Sequence, residues 1–295
     1  MTSTYKALKI ASCFITSVVL FGGSAFAGSK SQAYQDARVL MDKDDFKPAI
    51  AKIIDAQKGG EDTIDLSLLL TEAYAGRINQ VGNLKKMKLA KKIKKSSEHS
   101  LQLDPDNVEA LDGLIQFHMQ APGIAGGDKK QAHTLLTKLI ALKPIRGHML
   151  SAQLLAEEDK MAEAKVHLDK AIAIDPKNTD VLMGKAAMEI EQEQYAQAIA
   201  TYETCLAIEA DNWECRYQLG KTSQTGKVEY EKGKAAFLAF IENGHENKNY
   251  IAYAHYRLGN IFNQTGDAMS AKKHYEFAVK IDNLKPAKKA LAAMK

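Results

Sequence analysis

Leu101-Gln102-Leu103-Asp104-Pro105 closes one helical stripe, and the same five-residue ending returns at Ile140-Ala141-Leu142-Lys143-Pro144 and Ile172-Ala173-Ile174-Asp175-Pro176. Weaker copies stand at Leu206-Ala207-Ile208-Glu209-Ala210 and Val279-Lys280-Ile281-Asp282-Asn283. Each time an apolar stripe runs out at a charged residue, and three times a proline follows, which cannot continue a helix and sets the next turn. These endings mark the close of a repeated unit.

Small residues upstream of the endings fall on a fixed grid: Ala152, Ala164, Ala171; Ala186, Ala198, Cys205; Gly220, Gly233; Gly259, Ala271, Ala278. The steps from Ala152 to Ala186, from Ala186 to Gly220 and from Ala164 to Ala198 are all 34 residues. A period of this size signals a stacked helical array rather than one layered core. Spacings of 12 and then 7 place one small residue in a first helix and two on one face of a second, so the two backbones can approach closely. Large neighbours, Leu155, Leu168, Tyr202, Phe237, Phe262 and Tyr275, then fill the grooves around the crossing. No segment alternates like a strand for any distance, so the chain reads as all-α.

Tyr256-Arg257-Leu258-Gly259-Asn260-Ile261-Phe262, followed by Gly266-Asp267, Ala271, Tyr275 and Ala278, resembles the tetratricopeptide repeat family. Tyr195-Ala196-Gln197-Ala198-Ile199 and Met161-Ala162-Glu163-Ala164 look like the start of the second helix in two further copies. The resemblance is specific across 145–283 and looser before it. It implies a right-handed α-solenoid of about seven helix pairs, and a groove lined by the first helix of each pair that takes an extended peptide or a partner helix.

Residues 28–144 read as three divergent repeats. Ala37, Ala49 and Ala56 keep the small-residue spacing in the first, with Phe46 opening its second helix. The next two are stretched, and the excess is expected in extended loops at 77–83 and 121–127, where turn formers gather. Residues 145–283 hold the four better repeats. The lysine- and alanine-rich segment 284–295 reads as the polar helix that caps the last apolar face.

Residues 1–27 have the form of an export signal: Lys6 and Lys9, an apolar run from Ile10 to Phe21, and Ala25-Phe26-Ala27 as a cleavage site. The run is too short for a permanent span, and it follows Cys13 where a lipoprotein box would have it precede the cysteine. A mature chain from Gly28, periplasmic or else secreted, is therefore expected, with no later transmembrane segment. Loss of the two lysines lowers the net charge from +4 to +2, a balance that names no partner.

Cys205 and Cys215 remain after cleavage, each about a turn from one interhelical bend. Antiparallel packing brings them within reach of a disulfide in an oxidising compartment, while Cys205 can equally serve as a small apolar residue in an alanine slot. Lys85, Lys86, Lys88, Lys91, Lys92, Lys94 and Lys95 surround Leu84, Met87, Ala90 and Ile93. One face of such a helix packs and the rest is basic. It reads either as a solvated outer face or as a contact for anionic lipid or glycan at the envelope. No aromatic interleaving accompanies it, so nucleic acid is not expected.

Ala121-Pro122-Gly123-Ile124-Ala125-Gly126-Gly127-Asp128 departs most from the repeat. It lacks the lysine–hydroxyl pair and preceding strand of a phosphate-binding loop, and Asp128 with Gln131 reads as a capping pair opening the next helix. The eight histidines are scattered with no pair at three- or four-residue spacing. No nucleophile elbow, dinucleotide fingerprint or metal-ligand spacing is present. The expectation is a protein without catalytic residues, cofactor or metal.

By register with the tetratricopeptide grid, Met149 and Gln153, Met183 and Ile190, Tyr217 and Lys221, and Tyr253, Tyr256 and Asn260 are expected to face the groove. Methionine packs adaptably and tyrosine offers area with a polar tip, which suits another protein or a peptide. Some family members clamp a C-terminal carboxylate with lysine and asparagine. Asn260 stands at the asparagine, but Tyr256 replaces the lysine, so that specificity is not carried over. The resemblance implies a non-enzymatic interaction scaffold, or an accessory subunit of an envelope assembly or secretion complex.

Overall fold

The computed structural model describes residues 30–294, so the expected export signal lies outside the described residues. Among the described residues there are fifteen α-helices and no strand. In chain order they are α1 Gln32–Met41, α2 Phe46–Lys58, α3 Ile64–Ile78, α4 Asn83–Leu103, α5 Val108–Gln120, α6 Lys129–Leu142, α7 Pro144–Glu157 and α8 Met161–Ile174. There follow α9 Thr179–Glu191, α10 Tyr195–Ile208, α11 Trp213–Gly226, α12 Tyr230–Asn243, α13 Lys248–Gln264, α14 Ala268–Asp282 and α15 Lys285–Ala293. They form seven hairpins in succession and one final helix. The chain divides into two compact units, one ending at His167 and the other beginning at Leu168.

The recurrent endings work as a stop followed by a start. After α4, Asp104 accepts from the Asp106 amide at 3.2 Å and from the Asn107 side chain at 3.1 Å, while Asn107 accepts from Ala110 N and caps α5. Before α9, Asp175 likewise accepts from the Lys177 amide and Asn178 from Val181 N, and before α11 the Asn212 side chain donates to Glu209 and accepts from Cys215 N. The acidic residue thus holds the turn and the asparagine three positions later satisfies an orphan amide of the next helix. Pro144 acts differently. It is the first residue of α7, where its missing N–H costs nothing.

The small-residue grid lies where the helices cross. Ala37, Ala49, Ala164, Ala171, Ala186, Ala198, Cys205, Ala271 and Ala278 are fully buried. A Cβ on Gly220 would meet the Phe237 ring at 2.7 Å, and one on Gly259 would meet Tyr275 at 2.7 Å, so glycine is what lets those rings lie flat on the neighbouring helix. The second hairpin uses serines for the same purpose. Ser67 on α3 and Ser96 and Ser100 on α4 are buried, and their hydroxyls bond to one another and to backbone carbonyls, so the close crossing leaves them satisfied.

In the first unit one apolar cluster joins α1 to α4 around Ile53, Leu66 and Leu69, and another joins α5 to α7 around Leu111, Leu136 and Leu154. The second unit has three, centred on Ile199, on Phe237 with Leu258, and on Tyr275 with Ala287. Tyr253 and Phe262 pack against both of the last two, so the α11–α12 hairpin leans on α13 and α14. Ion pairs tie equivalent first helices one repeat apart: Arg38 grips Glu72 with two bonds of 2.7 and 2.9 Å, and Arg146 grips Asp112, each 34 residues away.

One expected loop is shorter than its assignment. The excess residues assigned to 77–83 extend α3 and α4 instead, to 15 and 21 residues, and the connector is only 79–82. Alternating lysines and apolar residues after Asn83 have good helix propensity, so the helix starts early rather than the chain looping. The second loop is present, built around a 3-10 turn at Gly123–Ala125 and a left-handed Gly126. Asp128 caps α6 by accepting from the amides of Lys130 and Gln131.

Candidate functional site

The residues assigned to the groove do not share one environment. In the first unit, Met149 and Gln153 are half-buried on α7, and Gln153 donates to Glu157 on the same helix at 3.2 Å. In the second unit, Met183 and Ile190 on α9 are half-buried against the cluster around Ile199, and Lys221 on α11 is half-buried. Tyr253 and Tyr256 on α13 are half-buried with ring centres 6.5 Å apart, edge to face.

Tyr217 departs from the expectation. It is 8% exposed and its ring sits edge-on to Phe237, Phe240 and Tyr250, all with centres within 5.7 Å. Burial, the dominant effect, raises its phenol above the ordinary value. A tyrosine at this register carries enough apolar area to turn into the core when large aromatic partners wait there. Asn260 is likewise occupied: its side-chain oxygen accepts from the Tyr275 hydroxyl at 2.9 Å. Burial holds that phenol up at about 12.

Two features escaped the sequence reading. Trp213, the first residue of α11, is 39% exposed and packs edge-to-face against His245 at 4.6 Å and Tyr250 at 5.2 Å, making an aromatic platform beside the turn 243–247. Its signal was a single tryptophan directly after a capping asparagine. The second is a repeated histidine pair. His148 and His167 bring their Nδ1 atoms within 3.0 Å, and His255 and His274 within 2.9 Å. Both pairs are 19 residues apart and occupy the same registers, four before and three after the grid positions. Helical spacing within one helix could not reveal them, because each pair bridges two helices.

Lys85, Lys88, Lys91, Lys92 and Lys95 are exposed along α4, with Lys86 and Lys94 half-buried. Lys92 lies over the Tyr74 ring at 5.2 Å, and Lys94 is 3.7 Å from Glu98. Cys205 and Cys215, both fully buried, are joined by a disulfide with Cα atoms 6.5 Å apart, linking the end of α10 to the start of α11. Among the described residues no three His, Cys, Asp or Glu side chains gather as a metal site would need, and no helix is long and apolar enough to cross a membrane.

Family models described as tetratricopeptide repeat match residues 155–211 and 252–283. The chain carries tetratricopeptide repeats in these two segments. Its fold is shared with a tetratricopeptide repeat protein from Parabacteroides merdae, at 14% identity and a TM-score of 0.57, covering 90% of this chain and 99% of that one. It is shared also with pilF of Pseudomonas aeruginosa, at 16% identity and 0.54, covering 80% and 100%. PilW, a widely conserved type IV pilus biogenesis factor, matches at 17% identity and 0.50, covering 89% and 100%. No curated protein sequence matches this repeat protein.

Proposed function

We propose that the mature protein is a non-catalytic periplasmic scaffold that docks a peptide or partner protein on the first helices of its tetratricopeptide hairpins. The observation that carries this is the pair Tyr253 and Tyr256 on α13, half-buried and in edge contact, which offers aromatic area with polar tips on a supported helix. The buried disulfide and the signal-like residues 1–27 favour an oxidising, exported location. The likeness of fold to PilW, a type IV pilus biogenesis factor, makes envelope assembly the pathway class to test first.

The test is a photo-crosslinking side chain placed in cells at Tyr256 and, as control, at Met269, which is exposed on α14. A discrete adduct from position 256 that is absent from 269, in protein released by osmotic shock, is the expected result. Equal labelling at both positions, or retention of the chain in the cytoplasm, would count against the reading.

A second reading rests on α4. Leu84 is 83% exposed and Met87 is exposed beside it, among lysines whose ammonium groups reach solvent, as on a helix that meets an anionic bilayer. Co-flotation with phosphatidylglycerol vesicles, lost in Lys91→Glu/Lys92→Glu and absent with neutral vesicles, would favour it.

A further inference from the structure

In the first unit α4 reaches past its partner helix. Ser67 on α3 is level with Ser96 and Ser100, and Tyr74 with Lys92, so α3 ends at Ile78 near the level of Lys88. Residues 83–87 therefore carry α4 more than a turn beyond it. That tip is amphipathic and uncovered. Leu84 and Met87 are exposed, and Lys88, Lys91 and Lys95, exposed too, continue the same stripe at helical spacing. The helix carries seven lysines against one acid, Glu98. Apolar anchors flanked by charge are what a helix uses to dock in a groove.

The second unit holds the complement. Asp180 and Glu214 are each the second residue of a first helix, α9 and α11, and stand 34 residues apart at one register. Among the described residues neither carboxylate has a hydrogen-bond or ion-pair partner. A helix N-terminus favours the charged form of a first-turn carboxylate, yet Glu214 is pushed up, by burial first and by the charge of Asp180 second. The two acids repel each other and no cation sits between them. Met183, three residues past Asp180, and Tyr253 and Tyr256 on α13 supply half-buried apolar area at the registers assigned to the groove. Lys221 and Arg257 lie further along their helices, and Arg257 already donates to Gln224 at 3.0 Å.

We propose that a second copy of this chain occupies that groove: the tip of its α4 lays Leu84 and Met87 on Met183, Tyr253 and Tyr256, and sets Lys88 and Lys91 against Asp180 and Glu214. The inference rests on the reading of the first helices as a docking face, and names the partner of that face. The two surfaces differ, so the contact is heterologous, and a copy that has lost one surface still offers the other. One helix tip covers little area, which makes the association weak and concentration-dependent.

The test is sedimentation equilibrium of the full mature chain at about 100 μM, where contacts of micromolar strength are populated. The wild type should associate in about 0.05 M salt and about tenfold more weakly in about 0.5 M, as the screening length shrinks. Lys88→Gln/Lys91→Gln and Asp180→Asn/Glu214→Gln should each remain monomeric alone and form one-to-one pairs when mixed. Should the second of these fail to fold, Asp180→Asn, at an exposed position, takes its place. A monomeric wild type, a variant that associates as the wild type does, or variants that fail to pair on mixing would overturn the inference. If the wild type is monomeric while position 256 crosslinks to a different protein, the docking face stands and the second copy falls. If it is monomeric while phosphatidylglycerol vesicles retain it, α4 serves the bilayer and the inference falls as well.

Discussion

The Nδ1 atoms of His255 and His274 face each other at 2.9 Å across the α13–α14 crossing, so one ring donates and the other accepts. Phe277 stacks on His255 at 5.1 Å and Phe262 on His274 at 5.4 Å, closing the pair between two apolar rings. The nearby cations, Lys273 beside His274 and Lys234 over the Phe262 ring, add no counter-charge for an imidazolium.

Burial, and then the charge of His274, push His255 down to about 4 from 6.5. The folded state therefore binds this proton less readily than the unfolded chain. Its contribution to stability is complete above pH 6.5 and is lost progressively as pH falls through the interval to 4, to a limit of about 3 kcal/mol. Thermal melts of the wild type and His255→Gln across this interval are the check. The variant should start less stable near neutrality and close the gap on acidification; a constant gap would refute the account.

Gly147 on α7 leaves no room at all. A Cβ there would sit 2.6 Å from the Ile140 backbone nitrogen on α6, and backbone cannot rotate away as a side chain can. Gly147→Ala should destabilise by about 1–3 kcal/mol through overpacking. Gly123→Ala, where a Cβ meets nothing within 4 Å, should stay within about 0.5 kcal/mol. Denaturant midpoints of the two variants separate steric exclusion from a general effect of replacing glycine.

Features that recur were legible in the sequence, and features built once were not. Ala164, Ala198 and Ala271 are buried because every hairpin faces the same steric demand, and a demand repeated at a fixed interval leaves a period. The inward turn of Tyr217 depends on Phe237, Phe240 and Tyr250 gathering from other helices, which no local pattern encodes. Asn260 sits at the expected register, but its bond to Tyr275 fifteen residues on is tertiary. The extension of α4 through 83–88 was hidden because surplus length in a repeat can lie in helix or loop with little difference in composition.

The Cys205–Cys215 bond closes a short loop, its ends 10 residues apart in sequence. By loop-closure entropy such a link contributes about 2–3 kcal/mol. Replacing both cysteines with alanine, which fits the small buried slot at Cys205, should lower the unfolding free energy from denaturant titration by that amount. Thiol counting after denaturation should find none in exported protein and two after reduction. Two free thiols without reductant would remove the bridge and, with it, one support for an oxidising compartment.

The turns inside four hairpins each pass through one left-handed residue: Asp44, Asp159, Glu193 and Gly266, with φ of 59°, 61°, 59° and 85°. Only the last is glycine. The left-handed region costs a residue with a Cβ roughly 1–2 kcal/mol, least for Asp and Asn, whose short side chains bond locally. Glu193 has no such relief by type, and its amide is already held by Ile190 O at 2.9 Å, so the turn itself is required. Glu193→Gly should therefore raise stability by about 0.5–1 kcal/mol after the extra unfolded-state entropy of glycine is counted. Asp159→Gly should gain less. A melting temperature that falls in Glu193→Gly would mean that the glutamate side chain contributes more than its backbone strain removes.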